Sequence, residues 1–388
     1  MLFRTPDLDL EDDVVLEEIH RHRAALADVL RVPRRWAGGL RRSMLARAIQ
    51  GSNSIEGYDV ELDDAAAALD DEDPLSADEK TFAEIRGYRL ALGYVLATAD
   101  APEFRLDASA LRGMHYMMLG HDLNKSPGRY RPGPIYVHDD VRGVNVYEGP
   151  DAELVPQLVE ELVAELNRGS AVDAIVWAAM AHLNLVMIHP FRDGNGRMAR
   201  ALQTLILCRG GIGEPAFSSI EEWLGHNTED YYRVLAATGA GGWNPDRDAS
   251  LWLKFNLRAH HIQAQTVARR YAEASRTWRE LDELIAEHGL PDRAADELYD
   301  AVIGFRIRRS SYAKRAAIEE RTATRDLARL AELGLLRAIG QTKGRHYVAG
   351  AELASLRSRV VRERPPIIDP YPWMRAHLAV AAEEVHSD

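Results

Sequence analysis

The sequence predicts an all-α protein interrupted by one β-hairpin and closed by a C-terminal winged helix-turn-helix domain. Three observations carry this. Before Pro291, apolar residues recur at helical spacing in segment after segment, as in Phe82, Ile85, Tyr88, Leu92 and Val95; that step lays one apolar stripe along a helix. A single stretch breaks the pattern, Gly128-Arg-Tyr-Arg-Pro-Gly-Pro-Ile-Tyr-Val-His138. Its prolines and glycines exclude helix, and the β-branched and aromatic residues that follow favour a strand. After Pro291 the order reads helix, helix, helix, hairpin.

In chain order, residues 1 to 35 are expected to be helical through Val15, Ile19, Leu26 and Leu30, with Pro33 interrupting. A helix over 36–50 runs into the turn formers Gly51-Ser-Asn-Ser-Ile-Glu-Gly57. An acidic segment, 61–77, precedes helices over 79–98 and 107–119. The hairpin strands fall at 135–137 and 144–147, with the turn at 139–143. A helix over 151–166 follows, and Ser170-x-x-Asp173 is a capping pattern for the apolar run from Val172 to Ile188. A second helical run, Met198 to Cys208, is stopped by Gly210-Gly211. Helices over 221–237 and 251–281 flank a flexible turn at 240–242. The winged module then has helices at 294–303, 312–319 and 322–334 and strands at 335–339 and 344–348. The tail after Ala351 is helical, broken by Pro365-Pro366. Four regions result: an N-terminal helical region 1–105, a core 106–270, the winged module 285–350 and a tail 351–388.

With 388 residues, 46% apolar and 28% charged, the composition is that of an ordinary soluble protein of two or three domains. A net charge of −12 argues against a chain that coats nucleic acid, while leaving local patches open. The single cysteine, Cys208, excludes an intramolecular disulfide and a multi-cysteine zinc site; on an apolar face it reads as a small core residue. No apolar run is long enough to span a bilayer, and the N-terminus lacks a signal peptide's apolar core. The expectation is a cytoplasmic protein with no membrane partner.

The densest chemistry lies in Ile188-His-Pro-Phe-Arg-Asp-Gly-Asn-Gly-Arg-Met-Ala-Arg200. Pro190 biases His189 out of helical geometry, ending the first helix there. Gly194 and Gly196 let the chain turn into the second. The amides of Gly194, Asn195 and Gly196 then form an anion nest at a helix N-terminus. Arg197 and Arg200 project from one side of that helix, and their planar forks suit phosphate. Asp193 offers a hard oxygen for Mg²⁺, which prefers phosphates plus one or two carboxylates. His189 titrates near neutrality and can take a proton from an attacking hydroxyl. Each residue alone reads as a capped helix start; a base, metal ligand, nest and clamp within one turn point to phosphoryl chemistry.

At every fixed position His189 to Arg200 matches H-P-F-x-D-G-N-G-R-x-x-R, so the chain resembles the Fic family. The resemblance, covering about 41–262, implies a helical bundle around the motif helix pair and a Mg²⁺-dependent nucleotidyltransferase. Such an enzyme moves AMP from ATP to a protein hydroxyl, with His189 as base, Asp193 on Mg²⁺, and Gly194, Asn195, Gly196, Arg197 and Arg200 on the phosphates. Ser52-x-x-x-Glu56-Gly57 resembles the family's inhibitory pattern, in which the glutamate pairs with the second arginine, here Arg200. The hairpin occupies the position of the flap that covers the nucleotide and pairs with an extended target segment, bringing Ile135, Tyr136, Val137 and His138 to ATP. Tyr231 and Tyr232 correspond to a tyrosine pair bordering the nucleotide, while Gly239 stands where the family often has an asparagine.

Removal of AMP, transfer of another nucleotidyl or phosphate-bearing group, and a nucleotide-sensing DNA-binding regulator remain alternatives, and a homodimer is left open. Residues 293–348 hold twelve Lys/Arg against seven Asp/Glu. This is a footprint for DNA, with Thr324, Arg325 and Arg329 facing a groove, or equally a module for protein contact.

Overall fold

The computed structural model describes residues 1–30, 35–139, 143–169, 171–212, 219–341 and 344–384. The expected positions Pro33, Ser170 and 140–142 of the hairpin turn lie outside them. Helices dominate: α1 (Leu10–Leu30), α2 (Ala37–Ser54), α3 (Leu62–Leu69), α4 (Glu79–Thr98), α5 (Ala108–Leu119), α6 (Val155–Arg168), α7 (Ala174–Ile188) and α8 (Asn195–Arg209). The strands β1 (Tyr136–Asp139) and β2 (Val144–Glu148) form the hairpin.

Beyond α8 come α9 (Glu221–His226), α10 (Thr228–Gly239), β3 (Gly241–Gly242) and the 39-residue α11 (Ser250–His288). The expected helix over 251–281 is part of this longer one, and the expected helix over 221–237 is divided into α9 and α10. The expected flexible turn at 240–242 instead contributes β3, which runs parallel to β2.

At the centre α7 is buried nearly all round, as a helix apolar on every face must be. Asp173 caps its start, accepting from Ile175 N–H at 2.8 Å. Its last turn leads into α8, and the two helices pack against each other.

One element departs from its expected boundary near Glu56. The helix α2 continues through Gly51-Ser-Asn-Ser54 instead of stopping at Gln50. The reason is tertiary. Gly51 lies against the backbone of α9, where an added Cβ would come within 2.4 Å of Glu221 O. Glycine serves here as a close-packing residue and not as a turn former.

The C-terminal module contains α12 (Ala294–Ile303), α13 (Arg309–Arg315), α14 (Glu320–Glu332), and the antiparallel strands β4 (Leu336–Ile339) and β5 (His346–Ala349). Ile307, between α12 and α13, makes a one-residue antiparallel bridge to β5 through two backbone hydrogen bonds to Tyr347, 2.8 and 2.9 Å long. The expected order is met, with the second helix starting earlier than 312.

Much of the module's basic excess faces the acidic segment after Glu56. Arg306 lies 3.3 Å from Asp63, Lys314 donates to Asp70 O at 2.7 Å, and Arg308 approaches Glu72 at 3.9 Å. Thr324, Arg325 and Arg329 remain exposed on α14.

The tail forms α15 (Ala351–Arg362) and α16 (Met374–Glu384) and returns to the core. There Asp369 pairs with Arg258 at 2.6 Å and Tyr371 donates to Asp12 at 2.6 Å. Among the described residues no helix is long and apolar enough to cross a membrane.

The packing of Gly51 generates a test. Gly51→Val places methyl groups into the α9 backbone and should destabilise the protein by ~1–3 kcal/mol, the usual overpacking cost. A calorimetric Tm equal to wild type would show that α2 and α9 do not meet this closely.

Candidate active site

The α7 to α8 loop presents the site. His189 ends α7 in the left-handed region, φ 49° and ψ 58°, with its N–H still on Leu185 O at 3.1 Å. A non-glycine residue held there is strained and persists only when its surroundings hold it. Arg131 supplies part of that hold: its Nε donates to His189 O at 2.9 Å, and its own backbone N–H donates to Pro190 O at 3.0 Å. The half-buried ring of His189 places Nδ1 3.0 Å from Val186 O. A carbonyl can only accept, so Nδ1 carries the proton and Nε2 keeps a lone pair for catalysis. Burial pushes the imidazole pKa below its ordinary value, which favours this neutral form.

Asn195 shapes the loop: its side-chain oxygen accepts from Phe191 N–H and its amide donates to Phe191 O, both at 2.9 Å. Of the three amides expected to be open to an anion, Gly194 N–H is taken by Asp193 Oδ1 at 2.6 Å. The nest therefore narrows to Asn195 and Gly196, because a neighbouring carboxylate reaches the first donor. A Cβ on Gly196 would meet Glu56 Oε1 at 2.5 Å and Arg200 Nη1 at 3.1 Å. The Glu56 carboxylate thus lies against Gly196 in the first turn of α8, the end of a helix that favours an anion.

Both motif arginines are buried. Arg200 donates through Nε to Ser52 Oγ at 2.8 Å and through Nη2 to Ser52 O at 2.9 Å and Glu56 Oε1 at 2.7 Å. Its Nη1 has no partner among the described residues. Arg197 donates through Nη1 to Glu84 at 2.7 Å, leaving Nε and Nη2 unpartnered. Buried guanidinium nitrogens without acceptors are costly in a protein interior and mark a place for anionic oxygens.

Asp193 is the one motif carboxylate, with 37% of its side chain exposed. Among the described residues no cluster of three or more His, Cys, Asp or Glu could cage a metal. One accessible carboxylate beside a phosphate site suits Mg²⁺ carried in on a nucleotide, which needs few protein ligands. Asp193 Oδ2 contacts Lys125 Nζ at 2.8 Å.

The remaining expected residues lie around this centre. Ile135 and Val137 are half-buried, and Tyr136 and His138 exposed, along the hairpin above the loop. Tyr231 is buried, with its hydroxyl 2.9 Å from His182 Nε2 and its ring against Arg200. Tyr232 is half-exposed and donates to Ile55 O at 3.1 Å, beside Glu56. Gly239 packs under the Tyr147 ring, where a Cβ would have 3.2 Å of room.

Sequence reasoning missed Glu84, His115 and Lys125. His115 sits on α5, read only as a core helix. Gly128 N–H donates to its Nδ1 at 2.8 Å, so Nε2–H donates to Asp193 O at 2.9 Å, and the ring stacks on Phe191. Burial lowers its pKa to about 4, so it stays neutral as this pattern requires. No local pattern distinguishes these residues, because only the packing of α4 and α5 on α8 gives them partners.

The chain matches the Fic/DOC family over residues 105–207. Over these residues the chain is similar to a Fic domain. Among curated relatives, protein adenylyltransferase Fic of Nematostella vectensis is 29% identical over 209 residues, 51% of this chain and 44% of that protein. Protein adenylyltransferase fic-1 of Caenorhabditis elegans is 31% identical over 167 residues, 42% of this chain and 30% of that protein. The chain spans less than half the length of these curated relatives. A Fic family protein of Desulfovibrio desulfuricans superposes with a TM-score of 0.55 at 22% identity, covering 89% of this chain and 98% of that one. At that identity the likeness establishes the fold, and it extends well beyond the Fic domain.

A binding test follows from the position of Glu56. Glu56→Gln removes the charge that covers the nest and should tighten ATP binding roughly tenfold, ~1.4 kcal/mol. Arg200→Ala should weaken it by a similar factor. Isothermal titration on the three proteins reads both, and equal affinity in all three would detach this pair from the nucleotide.

Proposed function

We propose that this chain transfers AMP from ATP to a Ser, Thr or Tyr hydroxyl of a target protein and of itself, and that Glu56 restrains the reaction. One observation carries the reading. His189 holds an unprotonated Nε2 beside a helix N-terminus whose two arginines have unpartnered buried nitrogens. The name shared by the curated relatives, protein adenylyltransferase, supports it.

In this reaction the hydroxyl oxygen attacks the α-phosphorus and gives its proton to His189 Nε2. The bond from that phosphorus to the bridging oxygen breaks, and pyrophosphate leaves. Arg197, Arg200 and the amides of Asn195 and Gly196 bind phosphate oxygens and stabilise the charge that builds on them. Mg²⁺ held by Asp193 would neutralise phosphate charge when bound. The hairpin residues Ile135 to His138 would cover the nucleotide and offer β1, an edge strand, to an extended target segment.

Glu56 opposes this by occupying Arg200 and the nest, so the triphosphate cannot settle with its α-phosphorus in line. A second reading, removal of AMP with Glu56 orienting water, is favoured by the charge that Glu56 exerts on His189. For the winged module we infer a DNA-facing role for Thr324, Arg325 and Arg329, the part of its basic surface not turned toward the acidic segment.

Labelled-AMP transfer tests the main reading. His189→Ala should abolish incorporation while ATP still binds, since it removes a proton acceptor and no phosphate ligand. Glu56→Gly should raise incorporation roughly tenfold or more; a fall would favour AMP removal. The base works deprotonated and burial lowers its pKa. The wild-type rate should therefore hold its plateau as pH drops through ~6.5, where an ordinary histidine would protonate. A midpoint at or above that value contradicts the assignment.

DNA binding predicts a mobility shift that weakens steeply with salt, as phosphate contacts release counterions. No shift even at low salt would favour protein contact.

A further inference from the structure

Lys125 lies outside every motif read from the sequence, on the turn after α5. Its ammonium is nevertheless the cation nearest the carboxylate assigned to Mg²⁺, 2.8 Å from Asp193 Oδ2. The same nitrogen donates to Glu84, whose other oxygen holds Arg197, and to the Tyr58 hydroxyl at 3.0 Å. Burial favours the protonated form of Glu84, but hydrogen bonds from Lys125 and Arg197 outweigh it and bring the carboxyl down to about 2. Two carboxylates therefore face two cations, and the cluster Glu84, Asp193, Arg197 and Lys125 is neutral as it stands.

We propose that Lys125 is a positioning residue that stands in for the divalent cation at Asp193 and makes metal entry depend on the nucleotide. The inference rests on Asp193 being the metal ligand, as read above. A bare divalent ion arriving at this neutral cluster must displace the ammonium from Asp193 or share the carboxylate with it. Two like-signed charges a few ångströms apart repel each other, and far more so beside a protein surface than in bulk water. The same ion arriving on a triphosphate brings excess negative charge with it, and the ammonium then becomes attractive to the complex.

Glu84 and Tyr58 tether Lys125, so it remains beside the site after yielding Asp193. Tyr58 follows Glu56 by two residues, and its ring also lies 5.3 Å from the Arg197 guanidinium. The turn that carries Glu56 thus touches the metal side of the site as well as Arg200.

The test is Mn²⁺ binding to the full chain, followed by electron paramagnetic resonance without nucleotide. Lys125→Met should bind Mn²⁺ about tenfold tighter or more than wild type. Lys125→Arg keeps the charge and should stay within about twofold of wild type. Asp193→Asn should lose binding. If Asp193→Asn binds as wild type does, the metal reading of Asp193 falls and this inference falls with it. If Asp193→Asn loses binding while Lys125→Met is unchanged or weaker, only the role of Lys125 is overturned.

A measurement on the wild-type protein covers a variant that fails to fold. Acetylation of Lys125, followed by mass spectrometry, should accelerate when Mn²⁺ saturates the site, because the ammonium has lost its Asp193 partner. An unchanged labelling rate counts against the proposal.

Discussion

The burial of Arg197 and Arg200 is the constraint on which the rest of the structure depends. A guanidinium out of water is tolerated only with acceptors around it. The motif loop does not provide them: the carbonyls of His189 and Pro190 accept from Arg131, that of Asp193 from His115 and that of Phe191 from Asn195, while the Asp193 carboxylate faces Gly194 N–H and Lys125. The acceptors come from α2, through Ser52 and Glu56, and from α4, through Glu84. The N-terminal helices are therefore part of the site's electrostatics, and the contiguous apolar core that joins them to α7 and α8 follows from the same requirement.

The compensation is incomplete. Three guanidinium nitrogens, two on Arg197 and one on Arg200, lack acceptors among the described residues. A site with every donor satisfied would have no affinity left for phosphate, and one with none satisfied would not fold. Glu56 is the adjustable acceptor. Its side chain is 20% exposed while Arg200 is 1% exposed, so the carboxylate has somewhere to go and the guanidinium does not.

The helix that carries Ser52 and leads to Glu56 is held at both ends. Near its C-terminus Gly51 packs on α9; nearer its start a Cβ on Gly39 would lie 3.8 Å from the Tyr299 ring of α12, and Arg42 reaches Asp300 at 3.4 Å. The winged module and the acidic segment after Glu56 share further ion pairs.

By itself the sequence determined the helix pair and the turn between them, and so brought His189, Asp193, Arg197 and Arg200 to one place. These depend on residue types within one short stretch, where proline, glycines and spacing dictate local geometry. The hairpin and the helix, helix, helix, hairpin order after Pro291 were legible for the same reason, since each is a run of local preferences. That Glu56 faces Arg200 came from likeness to a pattern, as nothing local makes residues so far apart in sequence meet.

Tertiary structure decided the rest. It drew Gly51 into a helix, because a neighbouring backbone left room for glycine alone. It turned 241–242 into a strand by placing it beside β2. It took Gly194 N–H from the nest, and it gave His115, Glu84 and Lys125 their partners. Each of these depends on which surfaces meet, and helical periodicity specifies that a face is buried without specifying what buries it.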